Sequence, residues 1–208
     1  MNEQQIRAQI DQLLLELENH PHDADRLNDT GIGYQMLGEH EEAAKYFEKA
    51  IASDSGDHRF YYNLANSYSE LQQMEQAMHH FLNALDRKPD HVPSLNNLAD
   101  IYLIAGDNDK ACELFAYITK LNPDEPLAYL NLGNAHFRAG RGKDAIAAYQ
   151  NALKRNDRLP DAYNNIGMVL KENGHFEQAI HHFERCLEID PDFESAQKDL
   201  EECKSRLS

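Results

Sequence analysis

The segment 160–193 reads PDAYNNIGMVLKENGHFEQAIHHFERCLEIDPDF and contains two apolar stripes at helical spacing. Its first half places an aromatic, two aliphatic residues and a glycine on one helix face, at Tyr163, Ile166, Gly167 and Leu170. In its second half Ala179 and Phe183 are four residues apart and share a face. Gly174 separates the halves and Pro191 follows the second, because glycine ends a helix readily and proline cannot continue one. The segment therefore predicts a helix–turn–helix hairpin.

The same pattern returns every 34 residues, without an insertion or deletion. The small residue equivalent to Gly167 recurs at Gly31, Ala65, Ala99 and Gly133. The alanine of the second helix recurs at Ala43, Ala77, Ala111 and Ala145. The repeated units are 24–57, 58–91, 92–125, 126–159 and 160–193. One such unit cannot bury its apolar face alone, so neighbouring units must stack.

The repeated skeleton, aromatic-x2-Leu-Gly-x2-Tyr, then Ala-x3-Phe, then Pro, resembles that of the tetratricopeptide repeat (TPR) family, over nearly the whole chain. The resemblance implies an all-α fold, a right-handed α-solenoid of five helix–turn–helix units within a single TPR domain, 1–208. It also implies that the first helices line a concave groove, which such proteins use to bind partners.

The segments outside the five units are predicted to be flanking capping helices. Residues 3–18 carry Ile6, Ile10 and Leu17 at helical spacing, in phase with a second helix, and should pack on the first unit. A swapped or partner-binding helix is the alternative for this segment. Residues 194–207 are in phase with a first helix and should close the other end with a polar face.

Three departures from the skeleton predict local differences. Gln72 stands at the turn between the two helices of the second unit, where we expect strain or a different turn shape. The other four units have glycine there, at Gly38, Gly106, Gly140 and Gly174. Leu27 replaces the aromatic residue of the first unit, and Gly142 replaces an aromatic residue in the fourth, which should loosen that turn.

The charge and cysteine content restrict the class of partner and the compartment. The chain has 20 Lys and Arg against 36 Asp and Glu, a net charge of −16, which argues against nucleic acid and anionic membrane and favours neutral or basic protein partners. Three irregularly spaced cysteines do not form a disulfide framework. No signal peptide or membrane-spanning run is visible, so we expect a cytoplasmic protein.

A row of asparagines is predicted on the concave face, one per unit, at Asn63, Asn97, Asn131 and Asn165. A side-chain amide can donate to and accept from a peptide backbone. Helices about 8–10 Å apart would hold roughly every third residue of an extended peptide. The alternative is that each asparagine bonds the neighbouring helix instead.

An apolar patch is predicted on the same face, formed by Leu103, Ile104, Leu127, Leu130 and Phe137. Apolar side chains facing an open groove usually mark a contact site, although some of these could turn inward and fill the joint between units. The predicted peptide-binding set therefore joins the asparagine row to Asn66, Leu103, Leu130, Asn134 and Phe137.

The resemblance suggests one known ligand, a chaperone C-terminus ending in Glu-Glu-Val-Asp. In the family this ligand is held by Lys and Asn in one unit, Asn in the next, and Lys and Arg in the third, so its carboxylates need fixed cations. In each of the three possible frames the chain has only Asn, Ile, Pro, Tyr, Leu or Asp at these positions. We therefore predict that this chain is not a carboxylate-clamp protein.

Eleven histidines raise the possibility of a metal site or an active site. His182 and Cys186 lie at i and i+4 and could face one way, but no third ligand is evident, and Cys186 occupies a position where a small core residue is usual. No nucleophile–base pair or phosphate-binding loop is recognisable. We predict no catalytic residue, no metal and no cofactor.

These observations together predict a non-catalytic protein–protein interaction scaffold or adaptor that binds a peptide or partner segment in the concave groove. Two alternatives stay open. The chain could be a self-assembling structural organiser, a homo-oligomer joined through its terminal helices. It could also be an accessory subunit of a larger enzyme complex.

Overall fold

A computed structural model describes residues 1–208 and contains twelve α-helices and no strand, which confirms the all-α prediction. The helices are α1 (Glu3–Asn19), α2 (Ala24–Met36), α3 (His40–Ser53), α4 (His58–Glu70), α5 (Met74–Arg87), α6 (Val92–Ala105), α7 (Asn108–Leu121), α8 (Pro126–Arg138), α9 (Gly142–Leu153), α10 (Pro160–Glu172), α11 (Phe176–Ile189) and α12 (Glu194–Leu207). Each predicted 34-residue unit contains two of them. None of the twelve has the length and apolar character that crossing a membrane requires.

The chain forms two compact units, residues 1–101 and residues 102–208, and the boundary falls within α6. In the first unit, consecutive helices from α1 to α5 pack on one another. In the second unit the same is true from α7 to α12. That the whole chain is a single domain stays a prediction.

The small residue of each first helix lies under an aromatic ring of the following helix. A Cβ atom added to Gly31 would lie 2.6 Å from the ring of Phe47, and one added to Gly167 would lie 2.6 Å from the ring of Phe183. Both rings are fully buried. The 34-residue recurrence of a small residue and an aromatic therefore reflects the close crossing of the two helices in each hairpin.

The turns inside the hairpins adopt the left-handed backbone conformation. Gly38, Gly106, Gly140 and Gly174 have φ between +71° and +81°. Gln72 has φ of +59° and is the one residue other than glycine with positive φ, which confirms the expected strain at this turn. An L-residue in this conformation costs roughly 1–2 kcal/mol.

A tyrosine on the first helix of a hairpin contacts an arginine at the end of the second helix in two places, and we call each pair a Tyr–Arg clasp. In the first clasp the Arg87 guanidinium lies 3.9 Å from the centre of the Tyr61 ring, and its Nη2 donates to the Tyr61 hydroxyl at 2.7 Å. Its Nε donates to the backbone carbonyl of Ser55 at 2.7 Å. Tyr129 and Arg155 form the same clasp 68 residues later, at 3.8 Å.

The two terminal helices pack on their neighbours through short apolar stripes. In α1, Ile6, Ile10 and Leu17 are buried, and α1 packs against α2. In α12 only Ala196 and Cys203 are buried, while most of its charged side chains face solvent.

Candidate functional site

A groove of about 350 Å³ lies within residues 102–208, formed by side chains of α6, α8, α9 and α10. Its lining residues are Leu103, Asn134, Phe137, Arg138, Tyr149, Asn165 and Met168. Four of them belong to the predicted peptide-binding set, namely Leu103, Asn134, Phe137 and Asn165. The structure thus brings residues from three helical hairpins to one place.

The polar wall of this groove is a hydrogen-bonded group of three side chains. The Tyr149 hydroxyl donates to Asn134 Oδ1 at 2.9 Å, and Asn165 Nδ2 donates to the same oxygen at 2.9 Å. Burial raises the pKa of Tyr149, so its hydroxyl stays protonated and remains a donor at neutral pH. Both bonds use the Asn134 oxygen, which leaves the Asn134 amide nitrogen as a donor for another group.

Sequence reasoning did not include Tyr149 in the site, although the sequence carried a signal for it. The equivalent position is phenylalanine in the other four units, at Phe47, Phe81, Phe115 and Phe183. A buried tyrosine hydroxyl needs a hydrogen-bond partner, whereas a phenylalanine does not. The exchange of Phe for Tyr therefore marks the one unit in which the core aromatic reaches the groove.

The asparagines of residues 1–101 bond to one another across neighbouring first helices. Asn63 Nδ2 donates to Asn28 Oδ1 at 2.8 Å, and Asn97 Nδ2 donates to Asn66 Oδ1 at 2.8 Å. The backbone carbonyl of Asn63 also accepts from Gln35 Nε2 at 3.0 Å. These bonds agree with the alternative interpretation, in which each asparagine of the row bonds the neighbouring helix. Each uses one of the two N–H groups of the donating amide.

The predicted apolar patch divides into buried and exposed members. Leu103 and Leu130 are each only 8% exposed, whereas Ile104 is 68% exposed and Leu127 is 52% exposed. Leu130 packs in the core with Tyr149 instead of lining the groove.

Two further side chains of the first helices differ in their surroundings. Asn131 is half-buried on α8. Lys171, on the first helix of the fifth unit, donates to Asp199 at 2.8 Å and to Glu202 at 3.1 Å. The capping helix α12 supplies both carboxylates, so it neutralises this cation.

The titratable and thiol side chains form no larger constellation. No group of three or more His, Cys, Asp or Glu side chains is placed to hold a metal ion. Cys112, Cys186 and Cys203 are all buried and unpaired, and burial raises the pKa of the Cys186 thiol to about 11.

Among curated proteins, none matches the chain by sequence. Solved structures do match its fold. YrrB, described as a TPR protein with an unusual peptide-binding site, is 19% identical, with a TM-score of 0.78 over 89% of this chain and 96% of YrrB. MamA (41-end) from Desulfovibrio magneticus RS-1 is 18% identical, with a TM-score of 0.75 over 82% of this chain and 96% of that one. MamA of MSR-1 is 22% identical, with a TM-score of 0.69 over 81% of this chain and 97% of that one.

Three family models, each described as tetratricopeptide repeat, match the sequence. They cover residues 35–101, 92–125 and 124–192. Together they cover residues 35–192, which include the hairpins from α4 to α11 and the Asn134–Tyr149–Asn165 group described above. The chain belongs to the tetratricopeptide repeat family.

Proposed function

We propose that this chain is a non-catalytic interaction scaffold that binds a peptide segment of a partner in the groove of residues 102–208. One observation carries the proposal: the groove places the apolar side chains of Leu103, Phe137 and Met168 beside the amides of Asn134 and Asn165. An apolar floor with a few fixed polar groups is the usual composition of a ligand site. A peptide segment offers the matching groups, an apolar side chain and backbone amides.

The hydrogen bonds of the polar wall suggest how such a segment is held. Asn134 is fixed by Tyr149 and Asn165, so its amide nitrogen is preorganised to donate to a backbone carbonyl of the peptide. An apolar peptide side chain then fills the space between Leu103 and Met168. In this binding mode the groove recognises one apolar side chain of the peptide, and the rest of the peptide sequence can vary.

The remaining predicted residues extend the same proposal. Within residues 1–101, Asn63, Asn66 and Asn97 would bond a peptide backbone with the amide groups that their inter-helix bonds leave unused. Within residues 102–208, Asn131 would do the same. The exposed Ile104 and Leu127 supply further apolar contact area in residues 102–208. The description of YrrB as a peptide-binding TPR protein supports this kind of function for the fold.

The proposal includes the partner class and the compartment. A net charge of −16 favours a neutral or basic partner. Three buried, unpaired cysteines suit a reducing compartment, so we place the protein in the cytoplasm.

The test uses random peptides displayed on phage and selected on the purified chain. Phe137→Glu and Met168→Glu each place a charge in the groove, and we expect either to weaken the selected peptides about tenfold or more, roughly 1.4 kcal/mol. Tyr117→Glu, at an exposed position on α7, is the matched control and should bind normally. Fluorescence anisotropy measures affinity and circular dichroism checks folding. Equal affinity of folded groove variants and control would refute the proposal.

A further inference from the structure

The two Tyr–Arg clasps have a counterpart in the first hairpin that lacks both side chains. The residues 34 positions before Tyr61 and Arg87 are Leu27 and Ser53. At this place the structure has an open groove of about 530 Å³ between α1, α2 and α3. We call it the α1–α3 slot, and its lining includes Leu17, Pro21, Leu27, Tyr46, Lys49 and Ser53.

The backbone acceptors of the clasp are repeated in the α1–α3 slot. Arg87 donates to the carbonyls of Ser55, at 2.7 Å, and of Asn83, at 2.8 Å. The equivalent residues 34 positions earlier are Pro21 and Lys49, and both line the slot. By repeat equivalence, the carbonyls of Pro21 and Lys49 correspond to the pair that an arginine bonds elsewhere in this chain, and the slot has no arginine of its own.

The walls and the charge of this region fit the same occupant. Leu17 and Leu27 offer apolar surface to the methylene stem of an arginine, and Tyr46 offers an aromatic face. The lining of the slot includes His22 and Lys49 and no carboxylate, but residues 1–57 as a whole contain 13 acidic and four basic residues, so more than half of the chain's net negative charge lies in the surrounding segment. A cationic segment is attracted to such a surface.

We propose that the α1–α3 slot binds an arginine side chain of a basic peptide segment from a partner. The guanidinium donates to the carbonyls of Pro21 and Lys49 and lies against the ring of Tyr46. The exposed Lys49 ammonium, now 4.5 Å from the centre of that ring, turns toward solvent. The slot belongs to residues 1–101, so this proposal goes beyond the groove of residues 102–208 and does not depend on it.

The probe is the peptide acetyl-Gly-Ala-Arg-Ala-Gly-amide, titrated to millimolar concentration into the ¹⁵N-labelled full chain. We expect amide shifts confined to residues 14–27 and 46–53. Citrulline has the shape of arginine without its charge, and the citrulline peptide should bind about tenfold more weakly. A lysine peptide should also bind more weakly, because an ammonium cannot bond both carbonyls with the same planar geometry.

Two variants rebuild the clasp within the chain. Leu27→Tyr with Ser53→Arg should fill the slot and abolish binding of the arginine peptide. Ser53→Arg alone, at an exposed position, should do the same and serves if the double variant does not fold. Gln4→Arg, exposed near the start of α1, adds the same charge away from the slot and should bind normally.

Four outcomes would overturn the proposal. They are no binding of the arginine peptide, equal binding of the citrulline peptide, shifts elsewhere in the chain, and unchanged binding by Ser53→Arg. Preference for a phenylalanine peptide over the arginine peptide would assign the slot to an apolar occupant and would also contradict it.

Discussion

Tyr149 stands where the other four units have phenylalanine, and the chemistry of the groove follows from that single hydroxyl. Its ring fills the core of the fourth hairpin as phenylalanine does, while its oxygen fixes Asn134 at the groove. One atom thus links the packing of the hairpin to the proposed peptide contact. Gln72 is a second position where one side chain departs from the repeat, and there the consequence is backbone strain.

Replacing Gln72 by glycine should stabilise residues 1–101. Gln72 has φ of +59°, a conformation that glycine adopts without the clash of a Cβ atom. We expect Gln72→Gly to raise the free energy of unfolding by about 1 kcal/mol. Urea denaturation followed by circular dichroism measures this change.

Gly140→Ala is the matched control for this prediction. Nothing lies within 4 Å of a Cβ atom added at Gly140, so only its backbone conformation, φ of +71°, opposes the substitution. We expect a loss of about 1 kcal/mol. A destabilised Gln72→Gly variant would show that the glutamine side chain makes a compensating contact.

The elements of this chain are joined by contacts that recur with the repeat, and the Tyr–Arg clasp is the clearest of them. The arginine lies at the C-terminal end of a second helix or just after it, and the tyrosine lies on the first helix of the same hairpin. The guanidinium of Arg87 also donates to the Ser55 carbonyl, in the joint before that hairpin. The clasp therefore ties a hairpin to the loop that precedes it.

Loss of the clasp should destabilise its hairpin moderately. Arg87 is exposed, and a cation–π contact at an exposed site contributes about 0.5–1 kcal/mol. We expect Arg87→Met to lower the free energy of unfolding by roughly 1 kcal/mol, since the hydrogen bonds to Ser55 and Tyr61 are lost as well.

A double-mutant cycle with Tyr61→Leu measures the whole Tyr61–Arg87 contact, the ring and the hydroxyl together. The coupling energy should be about 0.5–1 kcal/mol, because the two side chains touch directly. Arg87→Lys is the conservative comparison and should keep only part of the coupling energy. A coupling energy of zero would mean that the ring and the guanidinium are neighbours without attraction.

For the whole molecule, the surfaces of the two terminal helices bear on self-association. The helix α12 presents charged residues to solvent and buries only Ala196 and Cys203, as expected of a cap. Each terminal helix also leaves one leucine exposed, Leu15 on α1 at 62% and Leu207 on α12 at 50%. These exposed leucines are the observation that favours the second candidate function, a self-assembling organiser.

We predict that the purified chain is monomeric. A net charge of −16 opposes association of identical copies, and a single exposed leucine on each terminal helix is too small a surface for a stable interface. Light scattering coupled to size exclusion, over a wide range of concentration and salt, measures the mass. A mass that rises with concentration and returns to the monomer in Leu15→Glu would favour the self-assembling organiser instead.

The sequence by itself determined the helices, their pairing into hairpins and the positions of the turns. These features depend on local chemistry that repeats every 34 residues: helical periodicity, a small residue opposite an aromatic, and glycine where φ is positive. Even the strained turn at Gln72 followed from its departure from the repeat.

Only the tertiary structure decided which side chains are available to a partner. A helical wheel assigns Leu130 and Ile104 to the same side, yet one is buried and the other exposed, because exposure depends on how closely the next helix approaches. The asparagine bonds and the capture of Lys171 by α12 likewise join residues about 30 positions apart. A repeat pattern gives the direction of each side chain, whereas hydrogen bonding and burial depend on distances that packing alone sets.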